Sequence, residues 1–474
     1  MIETMKLVLD TFGSMVFVPI MLFVVALILK TPVKKAFMSA LLAGVGLCGF
    51  SMITNGYSGY LSDVISTLVA DTGINMSAMD LGWQSTATIA YSTTVGMLFI
   101  GVGLLLQFVL FFIKWTPVFM PSDLWNNYSF IIWGSLIYVA TGSTWLAMGC
   151  MIVQNLYVLL FAEVIQKRWE TYYGYPGTVM TAPHHIGHVP FCIALDVLLN
   201  KLGADRVNLR PEPIQKKLGF LGEPMTVGFI VGLLVGIVGK LYHLNELSAW
   251  GSIAQFAVAT AAVMEIFPKV GSIFASAFTA LTEASKKTAK SGGKERKMYL
   301  AVNDALGYGE TATLTTGLLL IPITLILSFV LPGNIVLPVM SFTALAYRVE
   351  LNICLSDGNI FKSVISYAII FCGSLYVATA NAELYTQVAK SVGIEMPDGA
   401  LLVIGMVAAN IGMWLIYMAF MSGNPILIGI TVVLYFVLYF WYRKNKPKVD
   451  QFLEDNAYAY KKKLSKGGEQ CGTA

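Results

Sequence analysis

Asn303-Asp304-Ala305-Leu306-Gly307-Tyr308-Gly309-Glu310-Thr311 crowds two carboxylates, an amide and two hydroxyls around two glycines, just where an apolar run at about 310–331 begins. Asp80-Leu81-Gly82-Trp83-Gln84-Ser85-Thr86 sets one carboxylate, an amide and two hydroxyls beside a single glycine ahead of a run at about 86–113. A membrane span is about 20 apolar residues long and has no use for such groups at its start. Broken helices do: their free N–H and C=O groups are tolerated at membrane depth only inside protein or beside a cavity, and transporters bind their cargo there.

The rest of the chain agrees with a membrane setting. Of 474 residues 56% are hydrophobic and 12% charged, about half the charge of a soluble domain. Apolar segments fall at about 13–29, 36–54, 86–113, 128–161, 185–199, 224–241, 249–280, 310–331, 336–355, 363–380, 400–421 and 425–442. The 43 glycines suit close helix packing. The six cysteines are scattered without a CxxC and read as reduced packing residues. Net charge is +4, gathered at the ends of spans and in the last 30 residues. That distribution speaks for membrane orientation and offers nothing for nucleic acid.

The two broken starts lie at corresponding places in two halves. Each half opens with a span carrying an early proline (Pro19; Pro224), and each later has a proline-containing turn (Thr116 to Pro121; Leu331 to Pro338). A small polar element follows in each (Thr141-Gly142-Ser143; Asp357-Gly358-Asn359). Charge inverts between them. Asn55 to Asp80 holds three Asp and no Lys or Arg, whereas 283–297 holds Lys286, Lys287, Lys290, Lys294, Arg296 and Lys297 against two Glu. Lys and Arg stay in the cytoplasm, so the halves face opposite ways, as inverted repeats do. The expected organisation is a first repeat at 1–200, a cytoplasmic connection at 201–223, a second repeat at 224–382, C-terminal membrane segments at 383–442 and a cytoplasmic tail at 443–474. The N-terminus falls outside. Twelve full spans would place the tail outside too, against its lysines, so one segment does not cross. The stretch 400–421 is the expected interfacial or re-entrant piece, leaving about 11 transmembrane helices in an all-α polytopic chain.

Candidate ligand contacts follow. Trp83, Gln84, Ser85, Asn303, Asp304 and Glu310 offer the donors, acceptors and aromatic face that a polyhydroxylated solute needs. Each has a second reading as a helix cap or an interfacial residue. Pro183-His184-His185-Ile186-Gly187-His188-Val189-Pro190 holds three of the four histidines. His184 and His185 could bond a ligand hydroxyl, and His184 could take its proton as general base. The spacing is not that of HExxH, so no metal is expected. Glu223 in Gly222-Glu223-Pro224 is either a helix-dipole residue or a buried ligand carboxylate, the second possible base. No GxxxxGK[ST] loop is present, which argues against ATP drive, and no cofactor is called for.

At this point the chain resembles the galactitol-type permease subunits (enzyme IIC) of the bacterial phosphotransferase system, which group with the ascorbate permeases. The likeness runs from about residue 5 to 445. It rests on Gly222-Glu223-Pro224-Met225-Thr226-Val227-Gly228-Phe229, Pro332-Gly333-Asn334-Ile335-Val336-Leu337-Pro338, Asp80-Leu81-Gly82-Trp83, Ala140 to Ser143, Pro183-His184 and Asp357-Gly358-Asn359-Ile360-Phe361. The resemblance implies an elevator-type homodimer in the bacterial inner membrane, with a fixed scaffold and a moving core that carries re-entrant hairpins. It implies a polyol substrate phosphorylated from a phosphocysteine on a separate IIB subunit, itself charged by IIA. The regions 201–217 and 283–297 are candidate docking surfaces. His185 stands where the pattern has a small residue and Glu310 where it has histidine, so galactitol, another hexitol and a pentitol all stay open. An ion-coupled transporter with the same repeat is the alternative, and a membrane enzyme using the histidines is a second.

Overall fold

The structure, a computed structural model, describes residues 31–72, 78–80, 82–211, 223–291, 298–302, 304–308, 310–338, 341, 344–393, 401–406 and 408–460, with Phe220 and scattered positions between 16 and 27. It is mostly helical. The first half gives α1 (Val33–Thr72), α2 (Gly82–Ser92), α3 (Thr94–Phe112), α4 (Tyr128–Thr141), α5 (Thr144–Tyr173), α6 (Pro183–Ile186) and α7 (Val189–Lys201). The second gives α8 (Pro224–Gly239), α9 (Leu247–Ser291), α10 (Ala305–Tyr308), α11 (Thr311–Val330), α12 (Leu345–Leu355), α13 (Ile360–Ser391), α14 (Ile411–Met421) and α15 (Pro425–Ala457). Among the described residues six helices are long and apolar enough to cross a bilayer, α3, α5, α11, α13, α15 and the part of α9 from Leu247 to Ile266. The chain is an integral membrane protein by this measure.

Local chemistry sets the helix ends. Gly142, at φ 67°, stops α4, and the Ser143 hydroxyl then accepts from Leu146 N to start α5. The apolar stretch 128–161 therefore divides, and α4, at 14 residues, is too short to cross alone. Asn359 caps α13 in the same way. The connection expected after residue 54 is instead helix as far as Thr72. Its polar side chains answer the turn after α8: Lys240 Nζ lies 2.9 Å from Asp63, and His243 Nε2 lies 2.9 Å from Asp71. The expected tail is also helix to Ala457, docked by Glu454 on Arg168 at 2.7 Å and by Asn456 on Asp196. The stretch 401–421 divides into a short strand and the 11-residue α14.

Six strands of two to four residues were not anticipated by the all-helical reading. They form two parallel sheets. In one, β1 (Ala78–Asp80) lies between β5 (Val336–Leu337) and β6 (Leu401–Val403). In the other, β4 (Tyr299–Val302) lies between β2 (Val118–Phe119) and β3 (Thr178–Met180). Each sheet takes its central strand from one half of the chain and both edges from the other. Ladder bonds satisfy backbone that has left a helix inside the protein. The exchange also brings each broken helix start against the third strand of the opposite half.

Packing divides the helices into two groups. α9 runs along α1 and α8, while α4, α5, α11, α12 and α13 form a second body around the sheets. Trp133 and Trp169 are fully buried in that body.

Candidate functional site

The chain leaving β4 reaches Asp304, and the chain leaving β3 reaches α6, so the paired strands set Asp304 against the histidines. His184 Nε2 lies 2.9 Å and His185 Nε2 3.1 Å from the same oxygen, Asp304 Oδ2. A carboxylate only accepts. Both imidazoles therefore donate through Nε2–H, and His184 Nδ1 accepts from the Ser129 hydroxyl at 3.1 Å. His184, His185 and Asp304 are all buried. His185 Nδ1 has no hydrogen-bonding partner among the described residues. The three side chains bring one ligand atom each within 4.8 Å, a spacing that a metal ion could also use. The shared oxygen already accounts for the geometry as a hydrogen-bonded cluster.

The next shell links this cluster to the other break. Asn410, which caps α14, donates to the His184 carbonyl at 2.8 Å and contacts His188 Nδ1 at 2.8 Å. Four residues upstream, the Met406 carbonyl accepts from Arg348 at 2.6 Å, and Met406 N donates to Ser341 Oγ. Gly405 N donates to Thr86 Oγ1 at 2.9 Å. A buried polar network thus runs from the first break, through 405–410, to the histidines and Asp304.

Several sequence candidates turn out to have structural duties. Glu310 caps α11: its carboxylate accepts from Ala312 N, Thr313 N and the Thr313 hydroxyl, each at 2.9 Å. Asp80 ties β1 to the opposite half, accepting from Gly82 N and Ser341 N at 2.9 Å each. Glu223 is exposed at the start of α8, with no cap bond from its side chain, which is against its reading as a buried ligand carboxylate. Its proline at the first helical position fits the helix-start reading. Trp83, Gln84 and Ser85 lie in the first turn of α2, and their side chains fall outside the described residues, as does all of Asn303. Removing the Glu310 cap by Glu310→Ala should cost about 1 kcal/mol of stability. Thermal unfolding in detergent checks this, with Glu310→Gln, which keeps one acceptor, falling between.

The sequence reading missed Glu350, on α12. It is fully buried, and neither carboxylate oxygen has a hydrogen-bonding partner among the described residues. It faces the second break: a Cβ on Gly307 would lie 2.6 Å from Glu350 Cδ and Oε2. Only glycine leaves room there. Tyr173 holds the Glu350 backbone, donating to its carbonyl at 3.1 Å. A buried, unpartnered carboxylate is costly, and ionisable groups at membrane depth mark function by default. The signal was present in Arg348-Val349-Glu350-Leu351-Asn352, three polar residues alternating with apolar ones inside a stretch counted as a span.

Comparison with known proteins adds an independent line. The family described as PTS system sugar-specific permease component (EIIC-GAT) matches residues 8–399. The chain is similar to the PTS system galactitol-specific EIIC components of Escherichia coli K12 and of Escherichia coli O157:H7. Each is 27% identical over 404 residues, covering 84% of this chain and 86% of the relative.

Proposed function

The chain belongs to the family of sugar-specific permease components of the phosphotransferase system, and from that premise we propose that it carries a sugar alcohol across the membrane while a partner IIB subunit phosphorylates it. The observation that carries the reading is the buried polar cluster at the second break: His184, His185, Asp304 and Glu350, whose carboxylate has no partner among the described residues. Two carboxylates and two imidazoles offer a polyol both acceptors and donors, replacing its water shell. His184, already oriented by Ser129 and Asp304, is the general base of this proposal. Asp304 would stabilise the imidazolium formed when His184 Nδ1, giving up the Ser129 hydroxyl, takes the proton of a substrate hydroxyl whose oxygen attacks the phosphorus of the IIB phosphocysteine, with the cysteine thiolate leaving. Glu223 leaves the proposed site.

The inverted repeat belongs to the same proposal. The reciprocal exchange of central strands between the two halves supports it. So does the matching order of strand, break and helix in each half. The dense packing of α1, α8 and α9 on one another, with α8 and α9 meeting the other group mainly at α10 and α11, supports a division into two bodies that could move past one another. Elevator movement, homodimerisation, the IIA and IIB partners and a cytoplasmic C-terminus rest on the family resemblance and on the Lys/Arg distribution.

Proteoliposome uptake tests the function. Labelled galactitol, sorbitol, mannitol, arabitol and xylitol are offered with and without IIA, IIB and a phosphoryl donor inside. One polyol should accumulate as its phosphate, and only with the full set. Accumulation of unmodified polyol without IIB would favour the ion-coupled alternative and overturn this reading.

A further inference from the structure

A polar cavity lies away from the proposed polyol site, where α3 ends beside α15. Its volume is about 270 Å³, and Lys114, Arg443 and Lys446 supply cations to its wall. Glu163 also lines it, but this buried carboxylate is already answered by Arg443 at 2.8 Å and by the Thr116 hydroxyl at 2.8 Å. Lys446 is paired with Asp450 at 3.0 Å. Lys114 has no ion pair among the described residues. The wall keeps an excess of positive charge.

The backbone at Lys114 is unusual. α3 ends in a reciprocal turn in which Lys114 N donates to the Phe111 carbonyl and Trp115 N to the Leu110 carbonyl. That motif places its next-to-last residue in the left-handed region, where glycine is normally found. Here lysine stands there, at φ 66°. A cation stands where glycine would fold with less strain.

The surroundings are those of a membrane interface. Trp115 stacks on Tyr439 with ring centroids 4.2 Å apart. Phe440 and Trp441 are exposed beside them. Above this belt α15 turns an apolar face outward: Ile430, Val433 and Val437 are all exposed, and only 17% of the helix's most apolar window is buried. Aromatic rings at headgroup level, cations just beyond and an open apolar helix above match the three zones of a phospholipid.

We propose that this cavity binds the phosphate of an anionic phospholipid, with the acyl chains lying along α15. Lys114 and Lys446 hold the phosphate, and Arg443 keeps Glu163 from repelling it. The lipid would fasten α15 to the end of α3 and to β4, which contributes Tyr299 to the same wall.

The full chain, purified in micelles doped with equal phosphatidylglycerol and phosphatidylcholine, provides the test, with bound lipids counted by native mass spectrometry. Wild type should retain phosphatidylglycerol in clear preference, and loss of each cation should lower that preference about fivefold. Lys114→Gly is the informative variant, because glycine suits the left-handed turn and thermal stability should hold or rise while selectivity falls. Lys446→Gln provides the second reading. Equal retention of the two lipids by wild type, or an undiminished preference in both variants, overturns the proposal. Displacement of the lipid by millimolar inorganic phosphate would assign the cavity to a free phosphate compound and overturn the lipid assignment.

Discussion

Glu350→Gln is expected to weaken polyol binding by roughly 100-fold while leaving the protein at least as stable as wild type. The two halves of this expectation come from one observation. Both oxygens of a fully buried carboxylate lack partners among the described residues. Without substrate, that carboxylate is a liability, and an amide in its place, though equally without partners, carries no charge to desolvate. On the proposed reading the substrate's hydroxyls supply the donors that the carboxylate lacks, and hydrogen bonds to a charged group contribute about 1.5–3 kcal/mol each. Glutamine keeps the shape and one acceptor but loses the charge. Isothermal titration with the transported polyol and thermal unfolding of the same samples read both effects. Affinity equal to wild type would remove Glu350 from the substrate's contacts. A fall in stability that matched the fall in binding would make it a structural residue.

How Glu350 escaped the sequence reading says what such a reading can see. Pro183 to Pro190 was legible because three histidines in eight residues interrupt an apolar chain. Asp304 was legible because it stands beside glycines where a span should start. Glu350 sits between Val349 and Leu351 in a stretch whose average is greasy, and an averaged window hides a single charge. Glu310 was visible as a polar residue, but its duty depends on where the first turn of α11 begins, which the sequence leaves open by a few residues. The strands were beyond reach for a different reason. β1 pairs with β5 and β6, more than 250 residues away, and two-residue ladders have no periodicity to detect. The proposed repeat was read from an order of features, and the exchange of strands between the two halves supports that reading. Charge counting misread 55–72 as a connection, because the Asp residues there serve as partners for Lys240 and His243 within a long helix.

Asp304→Ala should be the most damaging single change in the molecule, lowering stability by about 4 kcal/mol and abolishing uptake. Among the described residues its Oδ2 is the acceptor that both Nε2–H groups of His184 and His185 share. Alanine would leave two buried donors unsatisfied, at about 1–3 kcal/mol each, in surroundings that water does not reach. Asparagine should fall between, since its amide oxygen can accept one bond but its amide nitrogen then faces the other donor. Loss of folding and loss of chemistry would be confounded in this variant alone, so a cycle is needed. With both donors already removed in His184→Phe/His185→Phe, Asp304→Ala has no N–H groups left to strand. Its cost should drop to about 1 kcal/mol, a coupling of about 3 kcal/mol across the cycle. Denaturant unfolding of the four proteins measures that coupling directly. Additive costs would mean that the imidazoles find other partners when the carboxylate leaves, and the shared oxygen at 2.9 and 3.1 Å would then be incidental to the fold. A large coupling would mean that these three groups are ordered only together. Such a cluster can hold His184 in one tautomer with Nδ1 as its acceptor nitrogen, which general-base work requires once a substrate hydroxyl takes the place of Ser129.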